Sequence, residues 1–234
     1  MGDFGDLFGP NGPNLQNLSP PVQLALMLGL SALLPAALMT ATCFTRVVIV
    51  LSFVRQGLAT QNVPPNLVIT GLSLFLTLFI MQPTFTEIDQ KALQPYLAKQ
   101  MTGPDAVRTG IDIHKKFMIR HTRKQDLALF LHLSHNTTVT KAEDTPFLTV
   151  IPAFVISELK TAFIMGFCIF LPFLMVDLVV SSVLTSMGMV MMPPVTISAP
   201  FKILLFVLAD GWHLVTYAIA TSYSKQCLVF RFQC

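Results

Sequence analysis

Histidines are the residues in this chain whose type and grouping first suggest chemistry. Four of the five fall within one short stretch: His114, His121, His132 and His135. The last two are three residues apart, so both could lie on one side of a helix and share a metal ion. Structural zinc takes a tetrahedral ligand set, however, and no cysteine or carboxylate nearby completes one. The sequence therefore predicts solvated histidines, no metal site and no cofactor.

A nucleophilic active site has equally little support in the sequence. Ser157 precedes Glu158, but no histidine lies near them along the chain, and there is no Gly-x-Ser-x-Gly elbow. No glycine-rich loop that could cradle a phosphate is present. A membrane-bound enzyme would need a clustered set of histidine, acidic or cysteine side chains, so we predict that the chain is not an enzyme.

Five charged residues stand isolated in the apolar last third of the chain. They are Glu158, Lys160, Asp177, Lys202 and Asp210. Ionisable groups in apolar segments are costly and are usually paired or functional. Glu158 and Lys160 are two residues apart, so they point to different faces of a helix and pair poorly with each other. We predict that each charge pairs across helices or subunits, with Lys202 paired to Asp177 or Asp210.

A methionine-rich turn lies between these charges. It consists of Met187, Gly188, Met189, Val190, Met191 and Met192, followed by Pro193-Pro194. Glycine and the paired prolines force the chain to turn here. Because the unbranched thioethers of methionine are flexible and polarizable, they pack adaptably. The turn is therefore predicted to be an adaptable apolar surface of the kind that a seal needs.

One further pair of charges lies in a helix predicted over Asp112–His132. Arg123 and Asp126 are three residues apart and could pair on the surface of that helix. Two interpretations remain open for them, solvation and a contact between subunits.

The elements that must position all these residues follow from composition. Of 234 residues, 53% are hydrophobic and 12% charged, and the mean hydropathy is +0.66; soluble domains usually carry about 25% charged residues. No charge occurs from Leu7 to Thr45 or from Gln56 to Thr86. Because backbone in hydrocarbon must satisfy its own hydrogen bonds, such segments form helices. We predict an all-α membrane protein whose net charge of +3 is too small and dispersed to indicate nucleic acid.

The pattern of charge and proline divides the chain into five parts. They are a flexible N-terminal segment (1–21), a first membrane helical region (22–83), a hydrophilic helical domain (84–146), a second membrane helical region (147–224) and a C-terminal tail (225–234). The first apolar segment, Val22–Cys43, is long enough to span a bilayer. Further breaks are predicted at Pro83, Pro152, Pro172, Pro193-Pro194 and Pro200. They would leave membrane-associated helical hairpins made of short, proline-interrupted apolar helices.

Several motifs in this order resemble the FliP family of the flagellar type III export apparatus. They lie within about residues 20–222: Phe44–Arg55 (FTRVVIVLSFVR), Phe117–Leu127 (FMIRHTRKQDL), Ile156–Phe163 (ISELKTAF), Leu171–Asp177 (LPFLMVD) and Pro200–Trp212 (PFKILLFVLADGW). The chain departs from the family at two places within these limits. The family usually reads Ala-Leu-Gly where this chain has Gly57-Leu58-Ala59, and its turn often has three consecutive methionines where Val190 interrupts them here.

The resemblance implies a pore-forming core subunit of the flagellar protein export gate, needed for flagellum biogenesis. Several copies would assemble with FliQ and FliR into a helical cone raised largely out of the plane of the bacterial inner membrane, within the basal body. FlhA and FlhB would work with this cone to pass unfolded flagellar subunits. The resemblance also implies a periplasmic hydrophilic domain, contact with membrane lipid, and a gate formed by the methionine turn around Met189, Val190 and Met191.

Two other classes of function compete with this interpretation. A small-solute transporter would also have broken apolar helices and intramembrane charges, but it would usually show an internal repeat, and none is evident between the two halves of the chain. The homologous subunit of a virulence type III secretion injectisome has nearly the same motifs and remains the alternative.

Overall fold

The computed structural model describes residues 19–60, 63–134, 145–189 and 191–224. Within these ranges the chain is helical and contains no strand, which confirms the predicted all-α fold. The helices are α1 (Pro20–Ala41), α2 (Phe44–Gly57), α3 (Asn66–Leu97), α4 (Gly103–His121), α5 (Lys124–Leu133), α6 (Phe147–Ser186), α7 (Pro194–Leu208) and α8 (Gly211–Ser224). A π-helical turn, Asp89–Leu93, lies inside α3.

Two of the helices described are long and apolar enough to cross a membrane. They are α3, with 32 residues, and α6, with 40 residues. Helices α7 and α8 meet at a bend of 63° and could together form a third crossing. The chain therefore carries apolar helices that could span a membrane, as the composition predicts.

Prolines interrupt these helices less often than we predicted. The predicted breaks at Pro83, Pro152, Pro172 and Pro200 are wrong. Helix α3 continues through Pro83, α6 through Pro152 and Pro172, and α7 through Pro200. A proline inside a helix removes one backbone hydrogen bond, but unwinding the chain in apolar surroundings would leave more backbone groups unsatisfied. The predicted turn at Pro193-Pro194 is confirmed, since α6 ends at Ser186 and α7 begins at Pro194.

The predicted helix Asp112–His132 is wrong in its continuity. It is two helices, α4 and α5, separated by Thr122 and Arg123, which both adopt extended backbone conformations. The Thr122 hydroxyl donates to the Met118 carbonyl oxygen at 2.7 Å, and His121 Nδ1 lies 2.8 Å from the Phe117 carbonyl oxygen. Such local side-chain bonds to backbone compete with helical hydrogen bonding and favour a helix end at this point.

The described residues fall into two compact units. The first holds the residues up to Thr42 together with Met81–Val155. In it, α4 and α5 pack against the start of α6, around a core of Met118, Leu127, Val150, Ala153 and Phe154. The end of α3 runs antiparallel to α4, since a Cβ at Gly103 would lie 3.6 Å from Tyr96 and one at Gly110 would lie 3.8 Å from Ile88.

The second unit holds Cys43–Ile80 together with the residues from Ile156 onward. Its core is built on α2, whose Val47, Val50, Leu51 and Val54 recur at helical spacing and are fully buried. Side chains from α6, α7 and α8 complete it: Ala162, Phe173, Phe206, Val215 and Ile219. This unit positions the isolated charges and the methionine turn.

The turn after α2 gives a first testable prediction. Ala59 lies in the left-handed region with φ +57°, where a side chain costs about 1–2 kcal/mol that glycine avoids. Part of that gain is offset because glycine loses more backbone entropy on folding. We expect Ala59→Gly to raise the free energy of unfolding by about 1 kcal/mol, measured by thermal unfolding of the purified protein in detergent.

Gly57 provides the matched control. A Cβ at this position would lie 2.4 Å from Phe173 Cδ2, and the Phe173 ring is itself buried with its centroid 6.1 Å from that of Phe206. Gly57→Ala should therefore lower stability although it raises helix propensity. Equal changes in Tm for Ala59→Gly and Gly57→Ala would contradict this explanation of positions 57 and 59, where the chain has glycine and alanine in the reverse of the family's usual order.

The prediction of solvated histidines is wrong for His121, which is 7% exposed, and for the half-buried His114 of α4. His114 gives a second testable prediction. Its Nε2 lies 2.7 Å from the Ala41 carbonyl oxygen. Burial lowers the pKa of His114 from the usual 6.5, and the bond to Ala41 only partly offsets this effect. The folded state then binds fewer protons than the unfolded state as the pH falls through about 6.5. His114 therefore does not lower the free energy of unfolding above that pH, but it lowers it increasingly below that pH.

We expect the Tm to fall more for the parent protein than for His114→Gln when the pH is lowered from about 7 to about 5. Glutamine keeps an N–H donor for Ala41 but does not titrate. The measurement is thermal unfolding of both proteins across this pH range. The same fall in both would show that other groups carry the pH dependence.

Candidate functional site

The methionine turn begins with a C-terminal cap of α6. Gly188 has φ +76°, its N–H donates to the Thr185 carbonyl oxygen at 3.0 Å, and the Met189 N–H donates to the Leu184 carbonyl oxygen at 3.0 Å. This pair of bonds around a left-handed glycine is a Schellman motif. Pro193 is then extended, with ψ 117°, and α7 starts at Pro194. The sequence thus ends one helix and starts the next with the methionines between them.

The methionines of this turn face outward. Met191 is 99% exposed, Met187 is 68% exposed, and Met189 and Met192 are also exposed. Val190 lies outside the described residues, so its predicted part in the turn stays a prediction. A tip with this much exposed thioether surface is suited to contact something outside the chain.

A partly buried ion pair joins α7 to α6 near this turn. Lys202 Nζ lies 2.6 Å from Asp177 Oδ2, and Ser198 Oγ donates to Asp177 Oδ1 at 2.5 Å. The side chain of Lys202 is 4% exposed and that of Asp177 is 26% exposed. Of the two partners predicted for Lys202, the structure thus pairs it with Asp177. This pair fixes the register of the two helices that carry the turn.

A second and more deeply buried cluster joins α2, α6 and α8. Arg46 donates from Nε to Glu158 Oε2 at 2.8 Å and from Nη2 to Glu158 Oε1 at 2.5 Å, so the contact is bidentate. The Tyr223 hydroxyl also donates to Glu158, and Arg46 Nη1 donates to Ser222 Oγ at 3.0 Å. Arg46 Cζ lies 3.9 Å from the centre of the Tyr223 ring, a cation–π contact.

Burial explains why this cluster needs so many partners. Arg46 is 4% exposed and Glu158 is 0% exposed. Burying either charge alone would cost several kcal/mol, and only the bidentate geometry with further hydrogen bonds offsets that cost. The cluster therefore holds three helices of the second unit in fixed positions.

Sequence reasoning singled out Glu158 but did not name Arg46, Ser222 or Tyr223 as its partners. A signal for Arg46 was present, because it is one of only two charges in the predominantly apolar stretch Phe44–Asn62. Charges in such stretches need a partner of opposite sign. The position of that partner, 112 residues away along the chain, follows only from the fold.

The remaining predicted residues lie at the surface or at helix ends. Lys160 is exposed on α6, and Asp210 is exposed at the bend between α7 and α8, where its φ is +49°. Arg123 precedes α5, and Asp126 lies in the first turn of that helix, where a negative charge is favourable. Asp126 Oδ2 is buried and accepts no hydrogen bond within the described part of the chain. Subunit contacts of these four residues stay predictions.

Comparison with known proteins shows the family to which the chain belongs. The model of the FliP family matches residues 27–219. The flagellar biosynthetic protein FliP of Bacillus subtilis (strain 168) is 51% identical over 223 residues, which cover 95% of this chain and 100% of that protein. This chain belongs to the FliP family. Proteins of the same printed name from Pectobacterium carotovorum and Aquifex aeolicus are each 47% identical, over 92% and 88% of this chain and 82% and 87% of their own lengths.

The FliP family match includes most of the site. The methionine turn, the Lys202–Asp177 pair and the Arg46–Glu158 contact all lie within residues 27–219. Ser222 and Tyr223 follow directly after the matched range. The two ion pairs and the turn are therefore features of the FliP-like part of the chain.

Proposed function

We propose that this chain is a pore-forming core subunit of the flagellar type III protein export gate, in the bacterial inner membrane within the basal body. Several copies assemble with FliQ and FliR, and FlhA and FlhB act with this core to pass unfolded flagellar subunits. The relatives reported above are all named flagellar biosynthetic proteins, which favours a flagellar system over the injectisome. We also propose, as the family resemblance implies, that the hydrophilic domain lies in the periplasm. Its basic residues do not oppose this, because a loop of about 60 residues translocates largely regardless of its charge.

The observation that carries the proposal is the exposed methionine tip on a rigid hairpin. The Lys202–Asp177 pair and the Schellman motif hold the ends of α6 and α7, while Met187, Met189 and Met191 stay exposed beyond them. A ring of such tips from several copies forms a hydrophobic constriction, which blocks water and ions at rest. Because thioethers repack easily, the ring yields to an unfolded chain.

The test replaces two of the tip methionines in a strain whose own gene is deleted. We expect Met189→Ala plus Met191→Ala to restore assembly of the complex but to let ions leak through its closed state, because the constriction widens. The measurements are recovery of the assembled complex, export of flagellin into the medium, and sensitivity of growth to small ions. The unaltered gene should restore export and swimming without a leak.

Methionines elsewhere supply the matched control. Met27 on α1 and Met175 on α6 are also strongly exposed but lie outside the turn. Met27→Ala plus Met175→Ala should cause no leak. If Met189→Ala plus Met191→Ala assembles and does not leak, the turn is not the gate. If the deletion strain still exports flagellin, the proposed function itself is wrong.

A further inference from the structure

The part of α4 from Gly110 to Phe117 lies beside the ends of three apolar helices in the first unit. His114 bonds to Ala41 at the end of α1, Gly110 lies against Ile88 where the uncharged part of α3 has just ended, and the Phe117 ring lies 6.3 Å from the Phe154 ring near the start of α6. If α3 and α6 cross a bilayer, the boundary between hydrocarbon and headgroups therefore falls at this part of α4.

Basic side chains are exposed at that boundary. Lys116 and Arg120 are one helical turn apart on the outer side of α4, and Lys124 follows at the start of α5. With the half-buried Lys115 and Arg123, five basic groups lie here against three acidic ones. Glu87 lies within electrostatic range of Lys116 but is bonded to Lys91 at 2.6 Å, Asp112 is one turn earlier on α4, and Asp126 is partly buried. The surface is positive where a bilayer would present its phosphates.

Helix α5 adds an apolar component to the same surface. Its inner side packs against the core through Leu127 and Phe130. Its outer side carries Leu129, 50% exposed, and Leu133, 60% exposed. A short helix with exposed leucines next to exposed basic side chains has the composition of a helix that lies in the interface of a membrane.

We infer that, in the single chain before it joins other subunits, Lys116, Arg120 and Lys124 bind the headgroups of anionic phospholipids while Leu129 and Leu133 enter the acyl-chain boundary. We call these five residues the lipid face. Each basic side chain near an anionic surface contributes about a fivefold preference. The inference rests on the insertion of α3 and α6 into a bilayer, and it holds whether or not the chain forms the export gate.

The test uses the full chain in vesicles that contain equal amounts of phosphatidylglycerol and phosphatidylcholine. Its native cysteines are replaced by serine, and one new cysteine, Leu129→Cys, carries an environment-sensitive fluorophore. Bromine on the acyl chains of one lipid species at a time quenches the fluorophore when that lipid is adjacent. We expect brominated phosphatidylglycerol to quench several-fold more than brominated phosphatidylcholine, and a label at the exposed residue Gln100 to be quenched by neither.

Two variants that each remove two positive charges separate local binding from net charge. Arg120→Gln plus Lys124→Gln should lower the quenching ratio of the two lipids several-fold, because Lys116 is then the one basic residue left in the lipid face. Lys99→Gln plus Arg108→Gln should leave the ratio unchanged, because Arg108 lies about 18 Å from Arg120 along α4. Helical content by circular dichroism checks that all the labelled proteins are folded.

Three results would overturn the inference. The label at Leu129 could be quenched no more than the label at Gln100, which would mean that the face meets water. The ratio could be unaffected by Arg120→Gln plus Lys124→Gln, which would show that these side chains do not bind anionic headgroups. Quenching that falls as the protein-to-lipid ratio rises would assign the face to a second copy of the chain.

Discussion

Glu158→Ala is expected to lower the free energy of unfolding by about 3–5 kcal/mol, because it leaves a buried guanidinium without its anion. Arg46 would lose both bonds of the bidentate contact, and Tyr223 would lose the acceptor for its hydroxyl. Since Arg46 is 4% exposed, a water molecule that enters the space left by the side chain would not restore the missing negative charge. The measurement is denaturant or thermal unfolding of the purified protein in detergent.

The partner variant tests the cause of that loss. Arg46→Met plus Glu158→Leu removes both charges and fills the space with apolar side chains, which is often neutral or stabilising for a buried pair. We expect it to recover most of the stability that Glu158→Ala loses. The exposed pair Glu87 and Lys91 is the matched control, and Glu87→Ala should have no measurable effect. A double variant as unstable as Glu158→Ala would show that the charges themselves are needed.

Asp177→Ala is the second large effect, with an expected loss of about 3 kcal/mol. It leaves the Lys202 ammonium, whose side chain is 4% exposed, without its anionic partner. In the parent protein the Asp177 side chain is 26% exposed, so its carboxylate can be partly solvated. The two halves of this pair are therefore unequal. Lys202→Met should cost clearly less than Asp177→Ala, because a quarter-exposed carboxylate left alone still reaches water.

The hairpin between α6 and α7 supplies a second readout for the same pair. Protease cleavage near the methionine turn should become faster in Asp177→Ala, since the register of the two helices is no longer fixed by the ion pair. Asp177→Leu plus Lys202→Met should restore slow cleavage. Equal losses of stability from Asp177→Ala and Lys202→Met would contradict the unequal roles of the two side chains. So would a rate of protease cleavage that is unchanged in both single variants.

Local features of the fold could be predicted where the sequence signal is itself local. The apolar segment predicted at Val22–Cys43 is the helix Pro20–Ala41, and the turn at Pro193-Pro194 ends α6 and starts α7. Single prolines misled the prediction at Pro152 and Pro172. Whether such a proline breaks a helix depends on whether the freed backbone has another partner, and in apolar surroundings it has none.

The candidate site was predictable only in part, because pairing depends on which helix faces lie together. The sequence left Asp177 and Asp210 open as partners of Lys202, and the structure pairs it with Asp177 across the hairpin. Asp210 lies beyond the end of α7 at a bend, where it is exposed. Arg46 and Glu158 carry no signal of their pairing except opposite charge in apolar segments.

The length of α6 has a consequence for how membrane thickness acts on this protein. Its first turns pack in the core of the first unit, but the 32 residues from Val155 to Ser186 still extend about 48 Å, well over the hydrocarbon thickness of about 30 Å. In a flat bilayer a lone chain can accommodate this hydrophobic mismatch only by steep tilt, by local thickening of the bilayer or by exposing apolar turns to water, each at a free-energy cost per ångström. In the proposed assembly, neighbouring subunits would remove that cost by covering the excess length. A thinner membrane should therefore shift the equilibrium from single chains towards the assembled form.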